Sequence, residues 1–125
     1  MSIELRKVES LFGCLRKQPI ISFPAPRGTL EASDRLGIYL IISPSGKVLH
    51  VGRTPRAKYG ICQRLYDHLY GRSSFVYYYL AKKGYLLRNG YKYQYLVVQN
   101  ARLRALLEAY ATAHLCPIHL GLGNN

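Results

Sequence analysis

Residues 37–52 read GIYLIISPSGKVLHVG, two apolar runs on either side of Pro-Ser-Gly-Lys. Runs of this length flanking a Pro/Gly turn predict strand, turn and strand. With a two- or four-residue turn centred on Ser45-Gly46, Ile41 faces His50 and Tyr39 faces Gly52. Side chains alternate along a strand, so Tyr39, Ile41, Val48 and His50 share one face. Ile38, Leu40, Ile42, Leu49 and Val51 make the other, which is wholly apolar and must be core. Tyr39 and His50 are then diagonal neighbours within reach of each other. A three-residue turn would put them on opposite faces. Gly37 and Gly52 end the strands, where something can approach the backbone closely. Two readings of the pair fit the hairpin alone: a strand tyrosine beside a surface histidine, or two side chains set together for chemistry.

The flanking segments supply cover for this hairpin. Residues 1–18 predict a helix with Ile3, Val8, Leu11, Phe12 and Leu15 on its apolar face. Residues 19–35 hold Pro19, Pro24, Pro26 and Gly28 and read as a loop. After a basic loop, RTPRAKY, residues 60–71 read as a helix with Ile61, Leu65 and Leu69 at four-residue spacing, ended by Gly71. Ser73 or Ser74 caps a further short helix running to about Lys83. YKYQYLVV, 91–98, reads as a third strand. Asn100 caps a last helix over roughly 101–115, before Pro117. The order predicts an α+β fold, a small three-stranded antiparallel sheet flanked by helices. Residues 1–35 form a helix-and-loop extension and 36–125 the main domain.

The chain has 125 residues, 49% of them hydrophobic and 19% charged, which is a globular composition for one domain. Its 18 Lys and Arg against 6 Asp and Glu give a formal charge of +12. Such an excess favours a polyanion: DNA, RNA or an acidic membrane surface. No apolar run reaches the roughly 20 residues that span a bilayer, and MSIELRKVES lacks an apolar signal region. The expectation is a cytoplasmic protein with no membrane partner. Cys14, Cys62 and Cys116 are odd in number and widely spaced, which suits reduced, mostly buried thiols. Cys116 near His114 and His119 lacks a fourth ligand for zinc.

Two helices carry charged residues off their apolar stripes. Arg64 and His68 are four apart and share a face. They read as a solvated face, or as a phosphate site with a guanidinium fork and a proton-exchanging imidazole. Glu108 is the only acid after Asp67. It lies off the stripe of Leu103, Leu106, Leu107 and Tyr110, among Ala101, Ala105, Thr112 and Leu115. A carboxylate packed among small residues needs a cation. Arg104, one turn earlier, is one candidate; a divalent metal is the other.

Taken in order, these pieces resemble the GIY-YIG nuclease family over residues 36–125. Gly37-Ile38-Tyr39 stands for the first signature. His50-Val51-Gly52 stands at the spacing of the second, with histidine in place of tyrosine. Arg64 and His68 match the arginine helix, and Glu108, nine residues before Pro117, matches the metal-binding glutamate. Asn124 or Asn125 stands for the asparagine that commonly closes the domain. The resemblance implies an endonuclease that hydrolyses phosphodiester bonds with one divalent ion, Mg²⁺ or Mn²⁺. It implies that Glu108 holds the metal and that Arg64 offsets charge on the phosphate. Tyr39 orients or deprotonates the attacking water, with His50 taking the proton or acting as base. His68 orients water or contacts phosphate, and Lys58 supports the water or Tyr39.

Contacts to nucleic acid, DNA favoured over RNA, would come from Arg53, Arg56, Arg72 and Lys82. Lys83, Arg88, Lys92 and Asn124 extend that surface. Tyrosines interleaved with these residues, Tyr77–Tyr79 and those of YKYQYLVV, fit base stacking or ordinary strand packing. A non-catalytic nucleic-acid-binding module on the same surface is the alternative, and monomer and homodimer both fit.

Overall fold

The computed structural model describes residues 2–55 and 60–120. Arg56, Lys58, Asn124 and Asn125 lie outside the described residues. The elements are α1 (Ile3–Lys17), β1 (Ile21–Ser22), β2 (Gly37–Ile42), β3 (Val48–Arg53), α2 (Ile61–Leu69), α3 (Ser74–Tyr79), a 3₁₀ turn (Gly84–Arg88), β4 (Lys92–Val97) and α4 (Ala101–Leu115). The fold is α+β, with an antiparallel sheet in the order β1-β4-β2-β3.

Alternation along β2 splits the core into two layers. Tyr39 and Ile41 pack with Ile61, Leu65 and Phe75 under α2 and α3. Ile38, Leu40 and Ile42 pack with Val8, Leu15 and Leu107 under α1 and α4. Both faces of the sheet are therefore covered, and all six residues of β2 are buried. The helix ends follow local chemistry. Ser2, Ser73 and Asn100 each accept a bond from a first-turn amide, which satisfies donors that the helix itself leaves open.

The sheet has four strands, not three. The fourth, Ile21–Ser22, pairs with Tyr93 and Lys92. Two residues between prolines carry no periodicity, so nothing in the sequence marks them. This strand belongs to a segment tied tightly to the rest. Tyr93 Oη donates to the Glu31 carbonyl, and Leu30 N donates to Tyr66 Oη at 3.0 Å. Arg88 donates to the Pro24 and Ala25 carbonyls at 2.8 and 3.0 Å.

The hairpin holds Ile41 opposite His50 and Tyr39 opposite Gly52, then shifts so that Ile42 opposes Val48. The extra residue is Leu49, a bulge. Leu49 accordingly packs on the Tyr39 face and Val48 on the other, the reverse of the alternation expected from the sequence. The turn that sets this shift closes with Ser43 N on the Lys47 carbonyl at 2.8 Å and holds Gly46 at φ 95°. The thiols also differ from expectation. Cys14 and Cys116 are exposed and Cys62 is half-buried, all three free, because Cys14 falls on the outer face of α1 and Cys116 at the αL cap of α4.

Candidate functional site

The two glycines of the hairpin are set by close approach. A Cβ on Gly52 would run into the ring and hydroxyl of Tyr39, and one on Gly37 into the Leu96 carbonyl. Gly52 lets the Tyr39 ring lie across the neighbouring strand, where it is fully buried. Burial removes the water that would stabilise a phenolate, and this pushes the hydroxyl up to about 12, against the pull of the Arg64 guanidinium.

Tyr39 ends on α2. Its Oη lies 2.8 Å from His68 Nε2, and His68 Nδ1 lies 2.7 Å from Ser73 Oγ. Ser73 Oγ is also the acceptor that caps α3. One serine thus fixes both a helix start and an imidazole. His68 is only 1% exposed. Its burial, then His50 and Arg64, hold its pKa well below the ordinary 6.5, so the ring is neutral. His50 does share a face with Tyr39, at a centroid distance of 5.9 Å. Its ring stacks on Phe75 at 5.2 Å and 21°. Burial lowers its pKa to about 3, helped by His119 and Arg64.

At the β3 edge of the sheet lies a cavity of about 510 Å³. Tyr39, His50, Arg53, Arg64, Glu108 and His119 all border it. Glu108 comes from α4, where Ala109, Thr112 and Ala113 keep the wall low. Desolvation raises the Glu108 pKa, and Arg53 opposes the rise. Arg53 Nε lies 3.3 Å from Glu108 Oε1. Arg104 is not the partner: it is buried and donates to the Val98 and Gln99 carbonyls at 3.1 and 3.0 Å. Arg64 sits 3.7 Å from Asp67. Among the described residues, Arg64 Nε and His50 Nδ1 are buried polar atoms without a hydrogen-bond partner. No family model matches this chain, and no curated protein does either.

The structure therefore brings together Tyr39, His50, Arg64 and Glu108 around one space, with His68 directly behind Tyr39. Arg53, named for nucleic-acid contact, belongs to the same wall. The remaining named cations divide. Arg72 is exposed and pairs with Asp67 at 3.3 Å, and Lys82 and Lys83 are exposed. Lys92 is half-buried, and Arg88 is committed to the two carbonyls that anchor residues 24 and 25. Arg88 is thus a brace of the fold and not a free surface cation.

His119 is the residue that sequence reasoning left without a role here. Residues past α4 run beside β3: His119 N donates to the Leu49 carbonyl at 3.0 Å, in a parallel bridge with His50. Its Nε2 lies 3.1 Å from Ser74 Oγ. The one hint in the chain is Pro117, which stops α4 and allows an extended segment to follow.

Proposed function

We propose that this protein is a metal-dependent endonuclease, acting on DNA in preference to RNA. The observation that carries the reading is the convergence of Tyr39, His50, Arg64 and Glu108 on a single cavity in a chain of charge +12. A solvated charged face would have no reason to set a lone carboxylate, an arginine and a tyrosine–histidine pair around one space.

The donor set suits Mg²⁺ or Mn²⁺ bound mainly through water and phosphate. Glu108 is a partly desolvated carboxylate already drawing a cation, Arg53. Glu108 would be the protein ligand, since one carboxylate with waters and substrate phosphates suffices for Mg²⁺. When bound, such an ion stabilises negative charge on the phosphate and leaving oxygen.

The chain's own groups account for the rest. Arg64 offers a guanidinium to the phosphate oxygens as charge builds on them. Tyr39, neutral at working pH, serves as a bridge and not as a preformed base. With His68 Nδ1–H donating to Ser73 Oγ, Nε2 is free to accept from Tyr39. As water attacks phosphorus, its proton moves to the Tyr39 oxygen and the Tyr39 proton to His68 Nε2. The P–O bond to the leaving group breaks, that oxygen takes a proton from solvent, and His68, whose burial disfavours the charged ring, returns its proton through Tyr39 to solvent. Because Tyr39 exposes no surface, the wall it shares with Arg53 and Glu108 must part for water to reach it. His50, neutral and beside His68, adds no charge of its own to a pocket that already holds Arg53 and Arg64.

One feature favours the second reading, a binding module without catalysis: Arg53 sits on the carboxylate that the metal would need. Incubation of supercoiled plasmid and single-stranded DNA with Mg²⁺, with Mn²⁺ and with chelator separates the two. Cutting that requires metal supports the nuclease. Binding without cutting of DNA, RNA or branched DNA leaves the module.

A further inference from the structure

Residues 68–107 contain no Asp or Glu, and Tyr70, Tyr77, Tyr78, Tyr79 and Tyr85 within them are between 37% and 61% exposed. Tyr77 meets Tyr78, Tyr79 meets Phe75 and Tyr70 stacks on Tyr66, and the exposed parts of these rings make one aromatic surface on a short stretch. Two carry cations: Arg72 lies over the Tyr70 ring at 5.3 Å, and Lys82 Nζ over the Tyr77 ring at 4.8 Å.

The second arrangement is held by the backbone. Ala81 and Lys82 both adopt positive φ, 51° and 70°, a conformation that side chains resist. Lys82 N donates to the Val76 carbonyl at 3.0 Å. Gly84 presses on the last carbonyls of α2, leaving no room for a Cβ. The loop is thus pinned at both ends, with its lysine above the tyrosine.

Beside these rings lies a hollow of about 380 Å³, lined by Gly71, Arg72, Ser73, Ser74, Tyr77 and Tyr78. Ser74 also bonds His119, which borders the cavity at the β3 edge. The tyrosine ledge and the cavity therefore meet at the Ser74–His119 pair.

We propose that this ledge binds single-stranded nucleic acid, stacking unpaired bases on Tyr77 and its neighbours and seating phosphates on Arg72, Lys82 and Lys83. The strand runs from there toward the cavity. Paired bases inside a duplex have no face to offer these rings, whereas unpaired ones do. A second copy of this chain would bring like charge against like, and a ledge whose cations outnumber its one flanking acid, the Asp67 paired with Arg72, calls for a polyanion. The direction of the strand toward the cavity rests on the nuclease reading; the ledge itself does not.

The test is binding without metal, at one salt concentration, of labelled oligo-dT, oligo-U and a DNA duplex, by fluorescence anisotropy. Wild type is expected to prefer a single strand, and the oligo-dT and oligo-U arms show whether it is DNA or RNA. Tyr77→Ala is expected to weaken the preferred strand roughly tenfold, with a far smaller effect on duplex, while Tyr77→Phe keeps the affinity. Duplex bound as tightly as single strands would overturn the proposal. So would a Tyr77→Ala loss that is equal on both or absent. Single-strand preference without any cutting would remove the nuclease and keep the ledge; metal-dependent cutting with no such preference would do the reverse.

Discussion

At the scale of single residues, the site depends on one missing side chain. Gly52 gives the Tyr39 ring its place, so Gly52→Ala must push the ring or the strand aside. Overpacking of this kind costs about 1–3 kcal/mol, and urea denaturation should show a loss of that order. The histidines make a second prediction. In the fold, His50 titrates at about 3 and His68 well below 6.5, while in the unfolded chain they titrate near 6.5. Below that pH the unfolded chain binds protons that the folded one refuses. Stability is therefore full above about pH 6.5 and falls as pH drops toward the folded values. Glu108, its pKa raised, works weakly the other way as pH falls through the ordinary carboxylate range, since the fold takes its proton first. Thermal melts across pH 4 to 8 should show the decline, and His50→Tyr should flatten it. For cleavage, His68→Ala is expected to cost about 100-fold or more, the usual scale for a proton-transfer partner. His50→Ala should lose cleavage too, and His50→Tyr should keep much of it. Full activity in His50→Ala would remove His50 from the site.

At the scale of elements, long periodic segments were legible and short or shifted ones were not. The bounds of α4 and its Asn100 cap follow from a polar cap before an apolar stripe and a proline after it. Asn100→Ala should cost roughly 1 kcal/mol in a denaturation experiment. Tyr39 and His50 share a face although the turn holds an odd number of residues, with Ile42 opposite Val48; the Leu49 bulge restores the pairing of Ile41 with His50 that an even turn would have given. Leu49 and Val48 swapped faces because a bulge depends on Ser43 and Gly46 geometry, which hydrophobic pattern does not report. The Arg104 to Glu108 spacing suggested an ion pair, but Arg104 turned inward to two carbonyls and Arg53 of β3 took its place. Helical spacing says which residues share a face and is silent on what another strand presents to it. For the same reason His119 was invisible as a neighbour of His50. Residues 2–18 are a structural element of the same body: Val8 and Leu15 are buried, and Gln94 Nε2 donates to the Arg16 and Gln18 carbonyls at 3.0 and 2.8 Å. Removing them leaves α4 alone over that face of the sheet, and the truncated chain should lose its cooperative melt.

At the scale of the whole molecule, the charge of +12 and the cavity belong to one account. On the proposed reading the cationic surface would gather a polyanion at low salt, and its affinity should fall steeply as salt rises whatever the chemistry that follows. Among the described residues no helix is long and apolar enough to cross a membrane. Only the cavity separates an enzyme from a binder, and among the described residues Glu108 is its only carboxylate wall. The most direct measurement is therefore cleavage of supercoiled plasmid in Mg²⁺ by wild type and Glu108→Ala side by side, with binding of both measured in chelator. The account predicts nicking or cutting by wild type, at least about 100-fold less by the variant, and equal binding. Equal cutting by the two proteins, or none by wild type on any nucleic acid it binds, would contradict it.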